Sequence, residues 1–165
     1  MKPKLPQVWT GKEALEKLMR FCAYQERSRL QVIRKIKLLS IPEEWEEDLL
    51  SKLEAENFLN EDRFKKAFVR GKSRVKGWGP LKIQQSLFQE TGKKTSLSQI
   101  LNQEDEQKSI EKLEKDLAKK LVQFQSKNDK DWFNKMVRFC MSRGFTMETA
   151  LEIINKLIRN KNSLS

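Results

Sequence analysis

Histidine is absent from this 165-residue sequence, and cysteine occurs only twice, as Cys22 and Cys140. Without histidine the chain lacks the commonest general base and the commonest metal ligand, and two cysteines so far apart cannot complete a zinc site. No Walker phosphate loop, glycine-rich dinucleotide turn or nucleophile elbow occurs in the sequence. We therefore predict that the protein is not an enzyme and holds no metal and no cofactor. Both cysteines lie in apolar stretches, where we expect buried free thiols.

Long apolar runs are also lacking, since no stretch approaches the roughly 20 residues that a membrane-spanning helix needs. The first ten residues contain two lysines and two prolines but no apolar run, so we expect no secretory signal peptide. These absences predict a cytoplasmic protein with no membrane contact. We also expect a monomer that has no small-molecule substrate.

Glycine, proline and tyrosine are scarce, with 6, 4 and 1 residues, and this scarcity favours an all-α fold. Apolar residues spaced three or four apart predict nine helices in three groups of three, and Thr10–Glu13 and Ser40–Glu43 are candidate capping boxes. Turns at Ser40-Ile41, Gly92-Lys93 and Gly144-Phe145 recur about every 52 residues. We predict three tandem three-helix repeats at 11–59, 60–103 and 104–160, in an elongated, curved molecule with flexible tails at 1–10 and 161–165. A single compact nine-helix bundle is the alternative.

The charge of the sequence is strongly basic and unevenly distributed, with a net charge of +11. Residues 43–62 contain nine acidic residues and one basic residue, whereas residues 63–94 contain ten basic residues and one acidic residue. A basic surface of this kind favours a polyanionic partner. The acidic segment could also pair internally with the basic one and reduce its effect.

The basic segment is predicted to form a helix that is apolar on one side and positively charged on both flanks. Its expected core-facing stripe is Phe64, Ala67, Phe68, Gly71 and Val75. Such a helix fits an acidic groove or a phosphate backbone. The candidate partner-binding or nucleic-acid-binding residues are Arg63, Lys66, Arg70, Lys72, Arg74, Lys76 and Lys82. Trp78, in the turn that follows, either anchors the helix junction or stacks on a base or a partner side chain.

Three runs in this region resemble the central signature of the RecX family: Asn60-Glu61-Asp62-Arg63-Phe64, Ala67-Phe68-Val69-Arg70-Gly71-Lys72 and Trp78-Gly79-Pro80-Leu81-Lys82-Ile83. Supporting matches are Tyr24-Gln25-Glu26-Arg27-Ser28, Ile41-Pro42 and Arg143-Gly144-Phe145, so the resemblance extends from about Leu15 to Leu157. The sequence departs from the family at Ser40, where glycine is usual, and at Gly92-Lys93-Lys94.

The resemblance implies three tandem three-helix units and a regulator of DNA repair, homologous recombination and the SOS response. RecX-like proteins bind the RecA recombinase and its filament on single-stranded DNA and modulate RecA, usually by inhibiting its ATPase and recombinase activity. Two alternatives stay open. One is a helical module that binds single-stranded or duplex DNA directly, without RecA, and the other is a scaffold that recognises a different acidic protein.

Overall fold

The computed structural model describes residues 8–126 and 130–162, and within these ranges the secondary structure is helical, with no strand. The predicted all-α class is confirmed. The α-helices are α1 (Gly11–Tyr24), α2 (Arg29–Leu38), α3 (Glu46–Ala55), α4 (Glu61–Arg70), α5 (Pro80–Thr91), α6 (Gln103–Ser126), α7 (Trp132–Ser142) and α8 (Met147–Asn162). Short 3₁₀ turns cover Glu43–Trp45 and Leu97–Gln99, and a π-helical turn covers Gly71–Val75.

The described residues form eight α-helices and not the nine predicted, because the expected third helix of the middle repeat is only the 3₁₀ turn at Leu97–Gln99. Most of the predicted tails lie outside the described residues. Trp9 is described, and its indole Nε1 donates a hydrogen bond to the Leu39 carbonyl at 2.8 Å. The expected chain restart at Asn128 and Asp129 lies outside the described residues.

Capping boxes begin the first two helices. The Thr10 hydroxyl accepts from the Glu13 backbone N–H at 3.3 Å, and the Glu13 carboxylate accepts from the Thr10 N–H at 3.0 Å, as predicted. Hydrogen bonds from the side chain and the backbone of Thr10 lower the pKa of Glu13. Ser28 and Gln31 form a second capping box, which is not one of the predicted boxes. These boxes satisfy N–H groups that a helix leaves unpaired at its first turn.

The predicted capping box at Ser40–Glu43 is wrong. Ser40 has a φ of 54°, and the N–H of the next residue, Ile41, donates a hydrogen bond to the Ile36 carbonyl at 3.2 Å. This pattern is typical of the C-terminal end of a helix, so Ser40 belongs to the end of α2 and does not begin the next helix. The 3₁₀ turn at Glu43–Trp45 follows Pro42 and has no side-chain cap. The left-handed φ of Ser40 also explains why proteins of the family that the sequence resembles usually have glycine at this position.

The three turns spaced 52 residues apart share one backbone property. Ser40, Gly92 and Gly144 have φ values of 54°, 69° and 90°. The hydrogen bond that follows Ser40 also recurs after Gly144, because the Phe145 N–H donates to the Cys140 carbonyl at 3.3 Å. The recurring turns in the sequence therefore correspond to recurring left-handed residues in the structure, as expected of a repeat fold.

The chain divides into two compact units. The N-terminal unit runs to Ala67 and includes Gln89–Lys93, and its core comes from α1, α2 and α3. The C-terminal unit comprises Phe68–Phe88 and continues from Lys94, and its main core comes from α6, α7 and α8. Cys22 and Cys140 are free and buried in these cores, as predicted, and desolvation raises the pKa of each thiol to about 11. The repeat boundaries at 11–59, 60–103 and 104–160 stay a prediction.

Candidate partner-binding surface

The basic segment changes its helical register immediately after α4. The π-helical turn at Gly71–Val75 accommodates an extra residue per turn, and the buried hydroxyl of Ser73 donates to the Val69 carbonyl at 2.9 Å. The buried hydroxyl thereby has a hydrogen-bond partner inside its own helical segment.

The predicted apolar stripe is wrong in part. Phe64 is buried as expected, but Val69 and Ser73 are the other buried positions of this helical segment, whereas Ala67 is exposed and Val75 is 69% exposed. The π-helical turn explains Val75, because the stripe assumes a regular α-helix and the turn rotates the residues from Gly71 onward relative to that pattern. It does not explain Ala67, which lies in α4 before the turn.

Glycines bring two backbone segments into direct contact within the C-terminal unit. The Gly79 N–H donates to the Arg143 carbonyl at 2.8 Å, and the Leu81 N–H donates to the Gly144 carbonyl at 3.1 Å. A Cβ added to Gly79 would lie 2.5 Å from the Gly144 carbonyl oxygen, and one added to Gly144 would lie 2.5 Å from the Lys82 nitrogen. The Gly-Pro part of the signature therefore has a structural role, because only glycine permits this approach.

Trp78 lies half-buried beside this glycine contact. Its backbone N–H donates to the Lys72 carbonyl at 3.0 Å, and its carbonyl accepts from the Ser109 hydroxyl at 2.9 Å. The Nζ atoms of Lys72 and Lys82 lie 4.6 Å and 4.9 Å from the centroid of the indole ring. Trp78 thus anchors the junction and also contacts two of the predicted binding residues.

Two predicted binding residues are engaged inside their own units. The Arg63 guanidinium forms an ion pair with Glu26 at 2.8 Å and donates to the Asn57 side chain and carbonyl. Arg74 pairs with Glu104 at 3.1 Å and with the almost fully buried Asp105. The hydrogen bond to Asp105 raises the pKa of Arg74 above its ordinary value. Both arginines therefore stabilise the fold, and their docking role stays a prediction.

The other predicted binding residues have no carboxylate within ion-pair distance among the described side chains. Lys66 in the N-terminal unit and Arg70 and Lys76 in the C-terminal unit are exposed. Lys72 and Lys82 are partly exposed against Trp78. These charges remain available to an anionic partner because no carboxylate in the described ranges neutralises them.

Among the described residues, one ion pair joins the acidic segment to the basic segment, between Asp62 and Lys65 at 3.6 Å, and it involves none of the predicted binding residues. Glu47 and Glu54 of α3 each lie 2.6 Å from the guanidinium of Arg29, and Asp48 pairs with Lys52 within the helix. Hydrogen bonds to Glu47 and then Glu54 raise the pKa of Arg29. The α3 carboxylates are thus directed to α2, which the sequence could not show.

Metal and membrane sites are not found in the parts of the chain that the structure covers. No group of histidine, cysteine or acidic side chains there could hold a metal ion. None of the helices described above is long and apolar enough to cross a membrane.

These features define an all-helical repeat protein with unneutralised basic side chains on its middle segment. The family description "RecX, second three-helix domain" matches residues 60–90. A regulatory protein RecX from Pseudomonas entomophila is 31% identical over 79% of this chain and 82% of its own length. The chain belongs to the RecX family of regulatory proteins.

Further comparisons agree in sequence and in fold. The chain is 26% identical to regulatory protein RecX of Chlorobium phaeobacteroides, over 90% of this chain and 96% of that protein. It is 24% identical to the relative from Oceanobacillus iheyensis over 93% of this chain, but it spans only 56% of that relative's length. The crystal structure of RecX from Lactobacillus salivarius has a TM-score of 0.72 at 19% identity, covering 89% of this chain and 96% of that one. The solved structure confirms the all-α repeat fold.

Proposed function

We propose that this protein binds the RecA filament on single-stranded DNA and inhibits its ATP hydrolysis and strand exchange, without chemistry of its own. The observation that carries the proposal is the set of exposed, unneutralised cations on the RecX-matched segment, of which Arg70 and Lys76 are the clearest. A nucleoprotein filament supplies acidic side chains and phosphates, both of which attract such a surface. The protein would act as a monomer in the cytoplasm, where such filaments form.

Membership of the RecX family supports this proposal, and the geometry refines which residues serve it. Arg63 and Arg74 are held by internal carboxylates. Docking through them would require breaking ion pairs that stabilise the fold. Lys66, Arg70 and Lys76 require no such exchange, and we therefore assign the first contact to them.

The test is the ATPase rate of the cognate RecA on single-stranded DNA with increasing amounts of this protein. The wild type should inhibit at near-stoichiometric or lower ratios to RecA. The double variant Arg70→Glu/Lys76→Glu should raise the half-inhibitory concentration at least about tenfold, or about 1.4 kcal/mol of binding free energy.

The matched control is Lys12→Glu/Lys17→Glu, which removes the same charge from two exposed lysines of α1 that have no ion pair among the described residues. This control should inhibit RecA like the wild type. If it weakens inhibition as much as Arg70→Glu/Lys76→Glu does, only the net charge of the protein matters. Unchanged RecA ATPase and filament length with the wild-type protein would refute the proposal.

Direct DNA binding is the second candidate, and the same unneutralised cations favour it. Fluorescence anisotropy with a labelled oligonucleotide separates the two functions. A direct binder loses affinity steeply with salt, with a slope set by the number of phosphates it neutralises. RecA inhibition that persists at a salt concentration where naked DNA is no longer bound would support the filament regulator.

A further inference from the structure

Two lysines share one aromatic ring in the C-terminal unit. The Nζ atoms of Lys72 and Lys82 both lie within 5 Å of the Trp78 ring centroid, which places them at most about 10 Å from each other. Neither ammonium group has a carboxylate partner among the described residues. Two like charges within about 10 Å of each other repel, and a bound anion would relieve that repulsion.

Other rings that contact two cations differ from this arrangement. At Phe139 the nearby cations are Lys120 and Arg143, at 4.6 Å and 4.9 Å, but Arg143 is paired with Asp116 at 3.4 Å. At Phe21 the second cation lies farther away, at 5.4 Å. The Trp78 pair therefore combines two ammonium groups that each lie close to one ring with the absence of a neutralising carboxylate in the described structure.

The backbones that carry these lysines are held in place. The Lys72 carbonyl accepts from the Trp78 N–H at 3.0 Å, and the Lys82 backbone is in contact with Gly144. The Lys82 ammonium also donates to the Ser142 carbonyl at 2.9 Å. These contacts already restrict the two flexible side chains, so a ligand that binds them would cost less conformational entropy.

We propose that Lys72 and Lys82 form a phosphate-binding site and that Trp78 is the positioning residue that holds both ammonium groups. The proposal deepens the proposed function, since it names the ligand chemistry for part of the same surface. Compact ammonium charges suit a phosphate oxygen. Arg143, whose planar fork would suit a carboxylate or a phosphate, is already bound to the Lys76 carbonyl and to Asp116.

The phosphate has two candidate sources, which share this chemistry. One is a phosphodiester of single-stranded nucleic acid, and the other is a free nucleotide. Because the ring already contacts two ammonium groups, Trp78 supports cations and does not stack on a base. This assignment differs from the stacking role that the sequence left open.

The experiment follows the indole N–H signals of the full chain by NMR. The sequence has four tryptophans, so four signals are expected, and Trp78→Phe identifies the one from Trp78. Inorganic phosphate, titrated against chloride at constant pH and ionic strength, should shift this signal selectively, with saturation on the order of 1 mM. The Lys72→Gln/Lys82→Gln variant should abolish the shift. Lys120→Gln, which removes a lysine from the Phe139 ring, should preserve it.

Further titrations distinguish the sources. Saturation by oligo(dT) at a lower concentration than by ATP supports a phosphodiester, and the reverse order supports a nucleotide. No shift with any phosphate, or a shift only with a poly-glutamate peptide, would overturn the phosphate site.

The ATPase assay remains independent of this result. If the Trp78 signal does not shift but Arg70→Glu/Lys76→Glu still weakens RecA inhibition, the proposed function stands and the phosphate site fails. If phosphate binds while RecA is unaffected by the wild-type protein, the site stands and the proposed function fails.

Discussion

Replacing Gly144 with alanine tests the backbone contact on which the signature segment depends. Gly144 has a φ of 90°, which an L-residue rarely adopts, and the cost of such a conformation is about 1–3 kcal/mol. The new Cβ would also lie 2.5 Å from the Lys82 nitrogen, a backbone atom that cannot rotate away. Overpacking of this kind costs about 1–3 kcal/mol. We therefore expect Gly144→Ala to lower the free energy of unfolding by about 2–6 kcal/mol.

Urea unfolding followed by circular dichroism measures this effect. With a denaturant slope of about 2 kcal/mol/M, the midpoint should fall by roughly 1–3 M. Gly11→Ala is the matched control, because nothing lies within 4 Å of the Cβ it would add and alanine is the better helix former. A loss below about 1 kcal/mol for Gly144→Ala, with an unchanged slope, would refute the close contact.

Two further predictions concern buried polar and titratable groups. Arg74→Met should lower the urea midpoint, because it leaves the carboxylate of buried Asp105 without its partner, whereas Arg70→Met should leave the midpoint unchanged. Equal midpoints for the two variants would contradict this role for Arg74. Burial raises the pKa of Cys22 and Cys140 from 9.0 to about 11, so both states hold the proton below pH 9 and only the unfolded state loses it between pH 9 and 11. Stability should therefore decline over that window more in the wild type than in the double Cys→Ala variant, as measured by unfolding midpoints; parallel curves would contradict it.

The sequence predicted the fold class and several helix starts because those depend on local patterns. The Thr10–Glu13 capping box is an example, since both partners lie within one turn. The same rule failed at Ser40, where the spacing of serine and glutamate is identical but the residue ends a helix with a positive φ. The Ser28–Gln31 box carried a comparable signal, a serine followed three residues later by glutamine, and could have been found.

The sequence showed which basic residues belong to the candidate surface, but it did not show which of them are paired with carboxylates of the same chain. The basic residues are visible in the sequence, yet the pairing of Arg63 with Glu26 joins residues 37 positions apart, and that of Arg74 with Asp105 joins residues 31 apart. Spacing along one helix contains no information about such contacts. The contact of Lys72 and Lys82 with one ring likewise depends on the turn between them and on the third segment at Gly144.

The π-helical turn at Gly71–Val75 has a consequence for comparisons among relatives. A turn of this kind is what a one-residue insertion into an α-helix produces. In a relative without the extra residue, each position after it would lie about 100° further around the helix axis. A lysine aligned with Lys76 could then face the protein interior, and an aligned valine could face solvent. Identical letters downstream of Gly71 therefore correspond to the same surface only where the relative has the same turn.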